Sequence, residues 1–281
     1  MSAGGSNGPR GLSLHIGVNE VDPAHYAGWN GPLKLCEADA ALMSRIATER
    51  GFEPRLLTTR DATRGAVTAA IGAMATRLVA GDFCLVTYAG HGGQVGDVNG
   101  DEEDLKDETW CLWDGQLLDD ELAMLWSGFA PGVRVLLLSD SCNSGSIAKG
   151  EGDAAEAQGP RAPDGMVDRA MPREAARATF REQRGRYARI QRALPDPMPR
   201  IRASIRQLSG CADGQKSYDG QQGHGIFTDA VSTTLREGGR AVGYRAFYEA
   251  LHARMPDWQK PAMLTVGAPD PAFDAEAPLT I

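Results

Sequence analysis

Cysteine is scarce and unpatterned in this chain: 281 residues hold five, an odd number, widely spaced and without a CxxC pair. That spacing argues against a disulfide framework and for a reducing compartment. No apolar run approaches the roughly 20 residues that a membrane helix needs. The N-terminal MSAGGSNGPRG lacks the apolar core of a signal peptide, so the expectation is a soluble, cytoplasmic protein with no membrane partner. Excess positive charge is also missing: the formal net charge is -8, which speaks against a nucleic-acid partner. The histidines (His15, His25, His91, His224, His252) have no ligand spacing among themselves or with cysteines, which removes zinc. No GxSxG elbow is present, which weakens a serine hydrolase. Nothing calls for an organic cofactor, and there is no internal repeat.

What is present is an alternation of strand and helix signals. Strands are expected at 12–18 (LSLHIGV), 54–59, 82–90 (DFCLVTYAG), 109–114, 133–140, 201–208 and 262–266, and helices at 36–50, 63–79, 119–127, 224–236 and 244–254. The order predicts an α/β protein with a mostly parallel central sheet of about six strands and helices on both faces.

Two of the buried strands end in chemistry. One apolar run, Leu136-Leu137-Leu138, breaks into Ser139-Asp140-Ser141-Cys142-Asn143-Ser144-Gly145; the other ends in Gly90-His91-Gly92-Gly93. Open α/β sheets place ligands outside the carboxyl ends of their strands. On position alone, Cys142 reads equally as a nucleophile or an inert thiol. A cysteine nucleophile acts as the thiolate and needs a base beside it, a role imidazole fills. Glycines let the backbone approach a substrate and aim N–H groups at a developing oxyanion, with Gly92 and the Cys142 amide as candidates.

Residues 145–199 differ in character: first Gly/Ala/Glu-rich, then arginine-rich (Arg169, Arg173, Arg177, Arg181, Arg184, Arg186, Arg189, Arg192). Pro172 suits the first position of a helix. Phe180, Tyr187, Ile190 and Leu194 would share one face of it, and the proline cluster 195–199 ends it. A solvated basic surface helix is the plain reading, and a docking face for a partner the alternative.

The segments YAGHGGQ (88–94) and DSCNSG (140–145) closely resemble the two catalytic motifs of metacaspases and bacterial caspase-like peptidases, with the roughly 50-residue His-to-Cys spacing of caspase-type signatures. The likeness extends to LSLHIGV, Cys36-Glu37-Ala38-Asp39, DVNGDEEDLKDE, Asp119-Asp120-Glu121 and SGCADGQKS. It implies a caspase-like three-layer sandwich. Residues 1–145 would form a large part carrying the His91/Cys142 dyad, 146–199 a basic cleavable linker, and 200–281 a small part completing the sheet. The family usually has His where this chain has Asn143, a position that is not the base.

The resemblance implies a cysteine endopeptidase, with Cys36, Asp39, Ala89 and Asp140 around the pocket for the residue before the scissile bond. Asp140 and Cys142 alternate onto one strand face, and Cys36 and Asp39 share a helix face. Two carboxylates there would select Arg or Lys and repel Asp. Substrates would be proteins or peptides with a basic residue at that site. Cys211 would line the cleft, whereas Cys84 and Cys111 read as core. Linker cleavage, by the chain itself or by an upstream protease, would activate it, in defence or cell death, and the expected state is a monomer. The acidic segment 97–108 offers hard oxygen donors suited to calcium. Calcium-activated metacaspases use aspartates matching Asp107, Asp119 and Asp120, plus one where this chain has Lys149; Glu151 or Asp153 would have to substitute. The competing class is a non-catalytic caspase-like scaffold.

Overall fold

The computed structural model describes residues 8–96, 106–142, 160–212, 214–220, 223–237 and 243–281. In chain order these form β1 (Gly11–Gly17), α1 (Cys36–Glu49), β2 (Glu53–Thr58), α2 (Arg64–Arg77), β3 (Phe83–Ala89), β4 (Gly92–Gly96), β5 (Lys106–Leu112), β6 (Gly115–Leu118), α3 (Asp119–Ser127), β7 (Arg134–Asp140), α4 (Arg173–Ala193), β8 (Ser204–Ser209), α5 (Ile226–Glu237), α6 (Tyr244–Arg254), β9 (Ala262–Gly267) and α7 (Pro271–Ala275).

Six strands make the central sheet, in the order β2-β1-β3-β7-β8-β9, parallel except for β9. Every residue of β1, β3, β7 and β8 is buried. Helices cover both faces, which is why β3 and β7 run almost continuously apolar, whereas β8 buries Ser204, Arg206, Gln207 and Ser209. Alternation sorts the side chains. Leu14, Ile16, Val86, Tyr88, Val135 and Leu137 face α2 and α3, whereas Phe83, Leu85, Leu136 and Leu138 face α1, α5, α6 and α7. The edges read differently: β2 carries Pro54 and Arg55 exposed, and β9 is only half-buried. The expected architecture is therefore present, with β8 and β9 completing the sheet of the first half.

Three features differ from expectation. Strands β4, β5 and β6 pair antiparallel into a second, small sheet. In β4, Gly92-Gly93-Gln94-Val95-Gly96, there are too few side chains to display a strand period. α7 was also not foreseen. The arginine-rich helix α4 is not simply a solvated surface element: Tyr187 packs on Val95 and Leu118, with Phe180 and Ile190 alongside. The Tyr187 hydroxyl accepts the Gln116 N–H at 3.0 Å and meets His25 Nε2 at 2.8 Å. Pro172 precedes the helix rather than opening it. Among the described residues, no helix is long and apolar enough to cross a membrane.

Candidate active site

β3 and β7 are paired in register, Ala89 opposite Asp140, so both chains leave the sheet at the same level. His91 and Cys142 follow two residues later on each side. The peptide units of Gly92 and Cys142 then meet so closely that a Cβ at position 92 would overlap the Cys142 carbonyl oxygen. On the other side, a Cβ at Gly17 would strike the backbone of Cys36 and Glu37. The bare glycine is what lets the start of α1, with Cys36 and Asp39, close over the end of the sheet.

His91 is buried against Trp29, ring centroids 4.9 Å apart. Its Nε2 lies 3.1 Å from the Gly31 carbonyl oxygen. A carbonyl only accepts, so Nε2 carries the hydrogen and Nδ1 is left with a lone pair; Nδ1 is buried without a hydrogen-bond partner among the described residues. Burial pushes the imidazole pKa down to about 4, partly opposed by the Gly31 bond. The ring is therefore neutral at pH 7 and able to accept a proton at Nδ1. Cys142 is buried, with its Sγ 3.1 Å from the Ser217 amide that donates to it. Cys211 lies beside it: its thiol pKa is raised by contact with Cys142 and by burial, and its Sγ donates to the Ser141 carbonyl at 3.6 Å. Cys84 and Cys111 are core residues, as expected.

A stretch of the arginine-rich segment runs through this cleft. The Arg169 carbonyl oxygen accepts the N–H of Gly92 at 2.9 Å and that of Cys142 at 3.2 Å. The Arg169 N–H donates to Ser217 O at 2.8 Å and the Met171 N–H to Gly92 O at 2.8 Å. The two candidate oxyanion donors thus converge on one peptide carbonyl, which is the geometry that stabilises a tetrahedral oxyanion.

The Arg169 side chain is fully buried among three carboxylates: Asp39 at 2.6 Å, Asp140 at 2.8 Å and Asp219 at 2.8 Å. Burial alone would lower its pKa, but the surrounding charges, Asp140 foremost, override this and keep it charged. Each carboxylate has further support. Asp140 accepts from Ser217 Oγ (2.5 Å), Thr228 N–H (3.2 Å) and Thr228 Oγ1 (2.9 Å). Asp39 accepts from Gly225 N–H at 2.9 Å and faces His224 Nδ1 at 3.2 Å. Burial raises the Asp39 carboxyl pKa, against the pull of Arg169. Leu33, Cys36 and Ala89 pack together nearby, and burial pushes the Cys36 thiol up.

The expected pocket residues Cys36, Asp39, Ala89 and Asp140 therefore converge. Sequence reasoning missed Asp219, which sits on the irregular segment after Cys211, and it missed His224, whose Nδ1 meets Asp39.

The calcium expectation divides. Asp107, Asp119 and Asp120 are all buried, and Asp107 accepts a hydrogen bond from Gln191 of α4. The rest of the acidic loop, 97–105, and Asn143, Lys149, Glu151 and Asp153 lie outside the described residues. Among the described residues no group of three or more His, Cys, Asp or Glu side chains is arranged to hold a metal ion.

Known proteins share the fold. The family model of the caspase domain, peptidase C14, matches residues 10–268. The chain belongs to the caspase-domain family. Among curated relatives, it is 30% identical over 267 residues to Metacaspase-1A of Aspergillus fumigatus, covering 80% of this chain and 61% of that protein. It is 35% identical over 148 residues to Metacaspase-1 of Mycosarcoma maydis, covering 48% of this chain and 35% of that protein. The chain thus spans from about a third to about three fifths of these relatives' length. The crystal structure of protein GSU0716 from Geobacter sulfurreducens superimposes with a TM-score of 0.85 at 44% identity, covering 97% of this chain and 99% of that one. Caspase-1 from Spodoptera frugiperda gives a TM-score of 0.53 at 12% identity over 92% of this chain and 88% of that one, a likeness of fold alone.

Proposed function

We propose that the chain is a cysteine endopeptidase that cleaves after Arg or Lys, with Cys142 as nucleophile and His91 as base. The observation that carries this reading is the seat of Arg169: its guanidinium among Asp39, Asp140 and Asp219, its carbonyl between the N–H groups of Gly92 and Cys142. In the reaction, the Cys142 thiol proton passes to His91 Nδ1 and the sulfur attacks the carbonyl carbon. The oxyanion forms where the Arg169 oxygen lies, held by the two amides. Collapse of the intermediate expels the amine, which takes the proton from His91, and leaves a thioester that water hydrolyses. A neutral, buried imidazole suits the first step, because it accepts a proton without first having to lose one.

The linker takes part in this reading as a resident substrate: residues 167–171 fill the cleft, and cutting after Arg169 would free it. Hydrolysis of fluorogenic peptides ending in Arg, Lys or Asp, by wild type and Cys142→Ala, tests the proposal. Turnover of Arg and Lys but not Asp, lost in Cys142→Ala, is expected; turnover that persists in Cys142→Ala would overturn it.

Calcium activation is a separate proposal. Asp107, Asp119 and Asp120 would contribute carboxylate oxygens, the kind of donor Ca2+ takes, and further donors would have to come from the acidic loop. Isothermal titration of wild type and Asp119→Asn tests it: heat of binding in the first and not in the second is expected, and no heat in either removes calcium.

A further inference from the structure

The cleft touches more of the chain that fills it than one side chain. Residues 167–169 lie antiparallel to 217–219: the Arg169 N–H donates to Ser217 O at 2.8 Å, the Asp219 N–H donates to Val167 O at 3.0 Å, and Asp168 pairs with Tyr218. This is strand addition, in which backbone bonds supply affinity and alternate side chains supply selectivity. Alternation sends Arg169 into the carboxylate pocket and Asp168 to the opposite face. There the Asp168 carboxylate forms an ion pair with Lys216 Nζ, on the same face as Tyr218, whose ring rests edge-on against Trp258 at 5.3 Å. Val167, one residue further back, points to solvent with 47% of its surface exposed. The residue before the arginine is therefore gripped by a charge, and the one before that is not.

We propose that Lys216 is a specificity-determining residue that favours substrates carrying Asp or Glu immediately before the basic residue at the cleavage site. The inference rests on the reading that residues 167–171 occupy the cleft as a substrate does. Lys216 is half-exposed, so the attraction is screened and its effect is a bias between substrates. An acidic residue gains the pair, a neutral one loses it, and a basic one meets like charge. The substrate class is thus peptides with an acidic–basic pair before the scissile bond.

The test is kcat/KM on fluorogenic Val-Asp-Arg, Val-Ala-Arg and Val-Lys-Arg peptides, together with the rate at which the full chain cuts its own Arg169–Ala170 bond. The expected order is Asp, Ala, Lys, with about tenfold between the ends. Lys216→Glu should reverse that order while Arg stays preferred over Asp at the cleavage site. In the chain itself, Asp168→Lys should slow cleavage, and adding Lys216→Glu should restore it. If the chain does not cut itself, the peptide order alone decides. An order unchanged by Lys216→Glu overturns the subsite and leaves the peptidase reading standing. Failure of every Arg peptide and of self-cleavage overturns the peptidase reading, and the subsite with it.

Discussion

The Arg169 carbonyl oxygen lies 2.9 Å from the Gly92 amide nitrogen, and the Cys142 amide addresses the same oxygen from 3.2 Å. On the proposed reading, the bond that this carbonyl begins, Arg169–Ala170, is presented to the cleft as a substrate bond would be. The expected outcome is that the purified chain separates into two fragments joined originally at that bond, as read by intact-mass spectrometry. Cys142→Ala and Arg169→Ala should remain whole. The same fragments from Cys142→Ala would assign the cut to a different protease.

Asp219 extends the pocket beyond the carboxylates legible from the motifs. Its Oδ1 lies 3.1 Å from Arg169 Nε and 2.8 Å from Nη2, so it meets the side of the guanidinium fork. Lys has no counterpart to Nε. Asp219→Asn should therefore lower kcat/KM for Arg peptides by about tenfold to a hundredfold, and for Lys peptides by less, which shrinks the Arg/Lys ratio. An equal loss for both would mean that Asp219 acts only through the summed negative charge.

With His91 as the proposed base, the pH dependence expected of self-cleavage follows from its surroundings. Its pKa is pushed down to about 4 by burial, so the base stays unprotonated well below the ordinary histidine value of about 6.5. The rate should hold from pH 7 to pH 5 and fall only as pH approaches 4. Protonation of Asp39, whose carboxyl is raised by burial, weakens the grip on Arg169 in the same direction, and the Asp39→Asn profile separates the two. Stability follows a different window. His15 and His25 are also lowered, to about 3 and about 4, by burial first. Between pH 6.5 and 4 the unfolded chain takes up protons that the folded chain refuses, so stability decreases on acidification through that range. Urea midpoints at pH 7 and pH 5 should show the drop while self-cleavage is still intact; a rate that halves near pH 6.5 would contradict the His91 assignment.

Much of this site was readable because buried parallel strands carry their own signal. The runs before His91 and Cys142 are apolar because both faces of β3 and β7 are covered, and their chemistry begins where the apolar residues stop. Asp39 and Asp140 needed the family resemblance to acquire a role, since a helix carboxylate is usually solvated. Asp219 had no local signal: it follows no periodic element, and reaches the pocket only because residues 217–219 lie beside the incoming chain. Arg169 is one of eight arginines between 169 and 192; nothing in its neighbours distinguishes it from the exposed Arg181 or Arg189. What singles it out is distance from α4, which docks through Tyr187 and Gln191 and leaves residues 167–171 extended in the cleft. β4 was missed for a simpler reason: glycines give a strand no face to read.

Gly92 serves both the proposed oxyanion site and the architecture of the cleft. It donates one of the two hydrogen bonds to the Arg169 carbonyl and accepts the Met171 N–H at 2.8 Å, and there is no room beside it for a side chain because the Cys142 carbonyl is already there. Gly92→Ala must therefore push the His91 and Cys142 segments apart. Two consequences are expected together. Cleavage of Arg peptides should fall by at least about a hundredfold, as when an oxyanion donor is displaced. The 167–171 segment should also lose its hold, so that trypsin cuts after Arg169, which is buried in wild type. Limited trypsin digestion of Cys142→Ala and of Cys142→Ala with Gly92→Ala, both unable to cut themselves, isolates that second effect. A melting temperature within a few degrees of the single variant would show that the cleft opened while the sheet stayed folded. Wild-type cleavage rates in Gly92→Ala would mean that the peptide units of residues 92 and 142 do not meet as described, and the oxyanion assignment would fall with them.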